Sequence, residues 1–553
     1  MTQPPAFDDR FDGRFDDRFD GLVEGAFQDL WALQPGWAVY LGRHDFDGLV
    51  PEWSRPVVEA RLARLEELDQ EMAELGDLDG EQLIDRELLS AHIAKTTFEW
   101  RVLREVERNP MPWVYLLDPD LYMKREYAPP AVRAEVVAGM LARAGPLLAQ
   151  ARTRLDAELD ATICSWGITA ADGLAEMVRQ DVPEAFASLW TTPVGEELAV
   201  ASASAAAELE SFARWLESER LPLAGERFAI GADAMEELLR VSELVEMPLD
   251  QMLAVAEEDL ARNLAAFRQT AAEIDPSSEP RQVYERHVAS VHAGRGEVVN
   301  QTAGMLEEIR EFLVARDLIT IPSEVRAKVA PTPKHLRWAF AMMDTPGPYE
   351  TTATDAYYYV TPDEPEWDDQ RAEEWLQALN TFALEDISIH EAYPGHYVHF
   401  LHYRHAPTDV SRRLASYAFT EGWAHYVEQM MWEEGYREGD PRFRLAQLSE
   451  ALVRNCRFVC AIRLHAHGMT VDEATEFFVD NAFYPPSPAR KEAERGTFDP
   501  GYFSYTLGKL QILGLRDDYH NRLGGSFALK EFHDRLLGRG APPVEMMRRV
   551  LLG

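Results

Sequence analysis

His390-Glu391-Ala392-Tyr393-Pro394-Gly395-His396 sets a histidine–glutamate pair six residues ahead of a second histidine. In the pattern His-Glu-x-x-His, two imidazoles one helical turn apart bind Zn²⁺ and the glutamate activates a water. Here the second histidine comes two residues late. At about 100° per residue an unbroken helix would set the two rings about 120° apart, too far round to share one ion. Pro394 and Gly395 supply a remedy: Pro394 cannot donate to the carbonyl of His390 and its ring clashes with it, while Gly395 tolerates dihedrals closed to other residues. A two-residue bulge here restores an effective i, i+4 relation between His390 and His396. The bland alternative is a proline-kinked helix carrying ordinary histidines.

Working outward, six of the 15 histidines fall between positions 390 and 425, namely His390, His396, His399, His402, His405 and His425. A catalytic zinc site needs a third protein ligand. The sequence predicts a second helix from near Thr420, on which Glu421, His425 and Glu428 share one face. Either Glu421 or His425 can complete the set. A neighbouring carboxylate such as Glu428 can then orient a ligating imidazole.

Upstream, Ala356-Tyr357-Tyr358-Tyr359-Val360 reads as a strand, ended by Thr361-Pro362 and followed by a helix starting near Trp367. The expectation is an edge strand along a cleft, with Tyr358 and Tyr359 in its aromatic wall and its backbone free to bond an extended peptide; core packing is the alternative. Before position 320 helix dominates, with apolar stripes at 56–72, 130–157, 199–217, 250–273 and 305–313. Phe7, Phe11, Phe15 and Phe19 recur every four residues, a spacing that aligns them on one helix face. Loops are expected at Asp275–Pro280, Ile321–Ser323 and Pro346–Pro348. No internal repeat of 20–50 residues and no glycine-rich phosphate loop is present, which removes solenoid and nucleotide-binding readings.

The 553 residues are 46% apolar and 27% charged, enough to bury a large core. Lys plus Arg number 55 against 95 Asp plus Glu, a net charge of −40. A field of that sign repels phosphate backbones and anionic lipid, so neither nucleic acid nor membrane is expected as a partner. Met1–Asp20 has no basic or apolar leader pattern, and no run of about 18 apolar residues occurs. Three cysteines, Cys164, Cys456 and Cys460, are too few for a disulfide framework. A cytoplasmic protein is expected.

The motif His-Glu-x-x-Pro-Gly-His followed by Glu421-Gly422-Trp423-Ala424 resembles the bacterial domain-of-unknown-function family 885. Pro35 with Leu41-Gly42-Arg43-His44 is similar to that family's N-terminal signature. Glu494-Arg495 and Pro500 through Leu510 are similar to its C-terminal one. The resemblance implies a mostly α, zincin-like helical metallopeptidase fold with a deep cleft and a small β element near the active site, related to thimet-type oligopeptidases and Taq-type carboxypeptidases. It implies one Zn²⁺ per chain on His390, His396 and Glu421. Two positions depart from the commonest family pattern: Tyr397, where a second histidine is frequent, and His425, where an apolar residue is usual. His425 is thereby left as an extra group facing substrate or ligand. On this division residues 1–330 form much of the cleft wall and 331–553 the metal-binding catalytic part, as one continuous unit.

The expected reaction is hydrolysis of peptide bonds in oligopeptides, with Glu391 taking a proton from the attacking water and passing it to the leaving amine. Related zinc peptidases use a phenol from a C-terminal segment as oxyanion donor. That role falls first to Tyr505 and second to Tyr502. Arg490, Lys491, Arg495 and Lys509 are candidates for binding a peptide carboxylate, with solvated surface charge the default. Two rivals are a zinc-dependent hydrolase of non-peptide amides and a non-catalytic binding protein of peptidase fold.

Overall fold

The computed structural model describes residues 17–76, 78–333, 336–337 and 339–553. Its elements are mostly helices, and their ends follow from local chemistry. Gly80–Phe98 starts at Asp79, whose carboxylate accepts from Gln82 N while the Gln82 side chain returns to Asp79 N. Such a capping box is worth about 1 kcal/mol. Asp160 and Thr192 cap Ala161–Ala185 and Pro193–Trp215 more simply, each side chain accepting from backbone N–H of the first turn. The apolar stripes at 56–72, 199–217, 250–273 and 305–313 lie on single helices, Arg55–Ala73, Pro193–Trp215, Leu249–Ile274 and Val298–Arg316. The stripe at 130–157 is carried by two, Pro130–Leu141 and Ala144–Arg154. Phe19 is buried on Asp17–Leu33; Phe7, Phe11 and Phe15 lie outside the described residues. None of the described helices is long and apolar enough to cross a membrane.

The apolar interior gathers in two clusters, one built chiefly from Phe19 to Leu216 and the other chiefly from Phe228 to Met547. The candidate ligands belong to elements of the second. There Tyr417–Glu433 crosses Ser504–Leu523 at two glycines. A Cβ on Gly508 would fall 1.7 Å from Ala418 O, and one on Gly422 would fall 2.4 Å from the Gly508 carbonyl carbon. Close approach of two helix backbones therefore explains both.

Three four-residue strands make one sheet in the order β1 (Lys328–Pro331), β3 (Tyr357–Val360), β2 (Ala341–Asp344). β1 runs parallel to β3, pairing Val329 with Tyr358, and β2 runs antiparallel, pairing Met343 with Tyr358. The tyrosine-rich segment is thus a strand, but a central one rather than the expected edge. Its backbone is bonded on both sides, and Tyr358 is fully buried with its hydroxyl 3.1 Å from Ser388 Oγ on the helix Thr381–Glu391. Tyr359 is buried as well. The edge beside that helix is β2, which the sequence did not announce.

Candidate metal centre

Asn380 starts the helix Thr381–Glu391, its side chain accepting from Ala383 N, and the helix delivers His390 and Glu391 at its last turn. Pro394 then stops propagation. The chain does more than bulge: one helix ends at Glu391 and another starts at His396. Between them Gly395 N donates to Ile389 O at 3.0 Å and Val398 N to Ala392 O at 3.3 Å. A Cβ on Gly395 would sit 1.7 Å from His390 O, so only glycine fits. Trp423 Nε1 donates to Pro394 O at 3.0 Å and pins this turn to Tyr417–Glu433.

The break brings the two rings together, 4.8 Å apart and nearly perpendicular. One ligand atom each of His390, Glu391 and His396 lies within 4.8 Å of the others, a group able to hold a metal ion. Glu421 Oε2 stands 3.5 Å from His390 Nε2 and 3.6 Å from His396 Nε2. Two ligands about 2.05 Å from a tetrahedral zinc are about 3.3 Å apart, so these separations suit partners of one ion better than strong hydrogen bonds. Two imidazoles and a carboxylate also match the donor set of a catalytic zinc site. The side chains of His396 and Glu421 keep 19% and 15% of their exposure, which leaves the cluster an open face. Burial opposes ionisation of Glu421, but the two imidazoles outweigh it and hold its carboxyl well below the usual range. Glu391 is aimed from β2, its Oε2 accepting from Met343 N at 2.8 Å.

Behind His390 lies a buried polar network. Glu428 accepts from His390 Nδ1 at 2.6 Å on one oxygen and from His425 Nδ1 at 2.9 Å and Arg454 Nη1 at 3.3 Å on the other, while Arg454 Nη2 makes an ion pair with the first oxygen at 3.1 Å. An ionised carboxylate offers no proton, so both Nδ1 atoms carry theirs, and the Nε2 of His390 is the atom turned toward Glu421 and His396, the one that would ligate an ion there. Burial opposes the charge on Glu428, while Arg454 and the two imidazoles keep its pKa far below normal. Asp386 is also buried, and its oxygens have no hydrogen-bond partner among the described residues. Burial first, then the charge on Glu428, drives its pKa well up, as a neutral acid beside an anion requires.

The remaining expected residues fall in two groups. His425 is fully buried in the network; burial and the charge of Lys509 lower its pKa to about 3. Lys509 is 1% exposed and so stands on no solvent-facing lip. Tyr502 is sealed in the core against Gly496, its hydroxyl without a partner among the described residues. Arg490 pairs with Asp472 and Glu494, and Lys491 is exposed. Tyr505, by contrast, meets Tyr417, one turn before Glu421, with the hydroxyls 3.1 Å apart, and Arg495 reaches the same Tyr417 oxygen at 3.2 Å. His399 and His402 bond the carbonyls of Gly540 and Thr320, while His405 is exposed.

Sequence reasoning missed Arg454, Asp386, Tyr417 and the backbone of Met343. Arg454 left a trace, a cation within the apolar run Ala451-Leu452-Val453 and Cys456 of the helix Pro441–Ala466. The space left by the missing side chain of Gly422, beside Glu421, is taken by the backbone of Gly508.

A family model described as a bacterial protein of unknown function (DUF885) matches residues 35–551. Among solved structures, a candidate lipoprotein of unknown function from Shewanella oneidensis is similar with a TM-score of 0.82 at 23% identity, over 97% of this chain and 100% of that one. A candidate lipoprotein from Colwellia psychrerythraea gives 0.80 at 19% identity, over 97% and 98%. At these identities the likeness shows the fold alone. A candidate oligoendopeptidase F from Bacillus anthracis str. Ames covers 97% and 95% at 12% identity with a TM-score of 0.29, too low to carry an argument. None of the curated proteins compared with the chain matches it.

Proposed function

Because the chain belongs to the bacterial family of unknown function DUF885, and that membership brings no reaction with it, we propose a function from the chemistry of the site: zinc-dependent hydrolysis of peptide bonds in oligopeptides. The observation that carries the reading is the approach of two Nε2 atoms, at 3.5 and 3.6 Å, to the same oxygen of Glu421. His390, His396 and Glu421 would hold one ion, which when bound supplies Lewis acidity to a scissile carbonyl and acidifies a water. Glu391 takes the proton of the attacking water and returns it to the leaving amine. Met343 N–H restrains that carboxylate on one oxygen, leaving the other for the proton. Glu428 fixes the tautomer and the plane of His390. Tyr505 donates to the developing oxyanion.

A strand edge supports the choice of an extended peptide as substrate. Thr361 N bonds Phe340 O, so the register of β2 turns the backbone groups of Ala341 and Met343 away from β3. Met343 N–H is used by Glu391, while the two carbonyls and the Ala341 N–H face outward on the Glu391 side. Three free, buried cysteines support a cytoplasmic placement, although the two structural relatives bear a lipoprotein label.

The test is a side-by-side screen of oligopeptides and acylated amines with the purified protein, with chelator-stripped protein, and with stripped protein given zinc again. Peptide cleavage that is lost and restored with zinc is expected. Cleavage confined to acylated amines assigns the site to a non-peptide amide hydrolase, and inactivity on both favours a binding protein.

A further inference from the structure

Arg495, Tyr417 and Tyr505 form a directed run of hydrogen bonds on the face of the site that carries Glu421. Arg495 Nη2 donates to the Tyr417 oxygen at 3.2 Å, and the Tyr417 hydroxyl donates to the Tyr505 oxygen at 3.1 Å. A guanidinium has donors and no acceptor, so the run has one sense. Tyr417 receives a bond from Arg495 and gives its own proton to Tyr505, whose proton is then free for a third partner. Burial, helped by the neighbouring Tyr505, Glu421 and Asp499, raises the pKa of Tyr417, so the proton needed for this bond stays on it.

Both ends are held. Arg495 is fixed by Asp499 Oδ2 at 3.0 and 2.9 Å. The Tyr505 ring lies 5.0 Å from the guanidinium carbon of Arg457 and 5.9 Å from that of Arg495. Arg457 is itself clamped by Glu492 at 2.7 and 2.8 Å. Tyr417 shares a helix with Glu421 and stands one turn before it, so the run opens on the ligand face.

We propose that Tyr417 is a positioning residue for this reaction: it accepts from Arg495 and holds the Tyr505 hydroxyl with its proton directed at the oxyanion of a bound peptide. The inference rests on the hydrolase reading above. It deepens that reading, because a phenol that already accepts a bond from a polarised donor is itself a stronger donor. Tyr505 keeps its proton throughout, and no bond is made or broken to either ring.

The experiment is a double-mutant cycle on the full chain with an oligopeptide substrate. Tyr505→Phe is expected to lower kcat by about 10²-fold and Tyr417→Phe by about tenfold, each with little change in KM. The double variant should be no slower than Tyr505→Phe alone, because Tyr417 acts only through Tyr505. Unchanged metal content and melting temperature in Tyr417→Phe exclude a folding defect. An unaltered kcat in Tyr417→Phe, or losses that multiply in the double variant, overturns the proposal and leaves the hydrolase reading standing. The hydroxyl contact is read without catalysis by the ¹⁹F resonance of 3-fluorotyrosine incorporated at position 505. It should move when Tyr417→Phe removes the donor, and a resonance that stays in place overturns the relay. A wild-type protein that hydrolyses nothing overturns the hydrolase reading, and with it the role assigned to Tyr417, even where the resonance moves.

Discussion

Replacing Glu428 by glutamine keeps the volume of a side chain that is 0% exposed and removes its charge. The carboxylate accepts from three N–H groups, one on one oxygen and two on the other, and is further paired with Arg454 Nη2 at 3.1 Å. An amide has one accepting oxygen, and its NH₂ would face the donors left on the other side. At least one buried donor loses its partner, at about 1–3 kcal/mol. Arg454 retains only Glu450, at 3.9 Å, as an anionic partner within 4 Å among the described residues. Breaking a buried pair in this way costs about 3–5 kcal/mol, a range that meets the top of the hydrogen-bond figure. The zinc site should weaken too, since losing the carboxylate behind a ligating imidazole costs about 10–100-fold in metal affinity. Denaturant unfolding in the presence of a chelator reads the first effect, and competition with a fluorescent chelator reads the second. Adding Arg454→Met to Glu428→Gln removes the stranded cation and should recover stability without recovering zinc affinity. Wild-type zinc affinity in Glu428→Gln would refute the account of His390.

The helix crossing at Gly508 predicts that Gly508→Ala costs about 3 kcal/mol or more, because its Cβ meets Ala418 O at 1.7 Å. Gly514→Ala, inside the same helix with only Arg548 Nη2 at 3.5 Å from its Cβ, should melt slightly above wild type because alanine is the better helix former; equal melting temperatures for the two variants would contradict the packing. Glu243, buried against Ser416 and Ala418 N, has its pKa raised by burial to about 7 from 4.5. With the folded value above the unfolded one, its contribution is present below pH 4.5 and is lost as the pH rises through about 7, up to about 3 kcal/mol. Relative to wild type, Glu243→Gln should therefore gain stability between pH 5 and pH 8, and parallel stability curves would exclude this. Glu391→Gln should keep its zinc and lose hydrolysis, as a near-isosteric amide cannot accept the water proton; steady-state kinetics with an activity near wild type would remove Glu391 from the mechanism.

The pairing of His390 with His396 was legible because Pro394 and Gly395 encode the interruption locally, through a missing N–H and an absent Cβ. The helix of Glu421 was legible for the same local reason: Glu421, His425 and Glu428 show one face. What stayed hidden depends on chain segments far apart. The aromatic run Tyr357–Val360 identifies a strand, yet its central place depends on β1 and β2, two short segments with little strand signature. Arg454 joins Glu428 across 26 residues and Tyr417 meets Tyr505 across 88, and neither spacing leaves a periodic mark. Gly422 carries a signal whose partner the sequence does not name. A small residue beside a ligand does mark a close approach, and the partner is Gly508 on another helix.

Metal analysis of the purified wild-type, Glu421→Ala and His425→Ala proteins tests the central claim most directly. Glu421 faces both Nε2 atoms, whereas His425 turns its Nδ1 to Glu428 and has its Nε2 buried without a partner among the described residues. The account predicts about one zinc per chain in the wild type, a value near that in His425→Ala, and almost none in Glu421→Ala. Zinc retained by Glu421→Ala and lost from His425→Ala would contradict it.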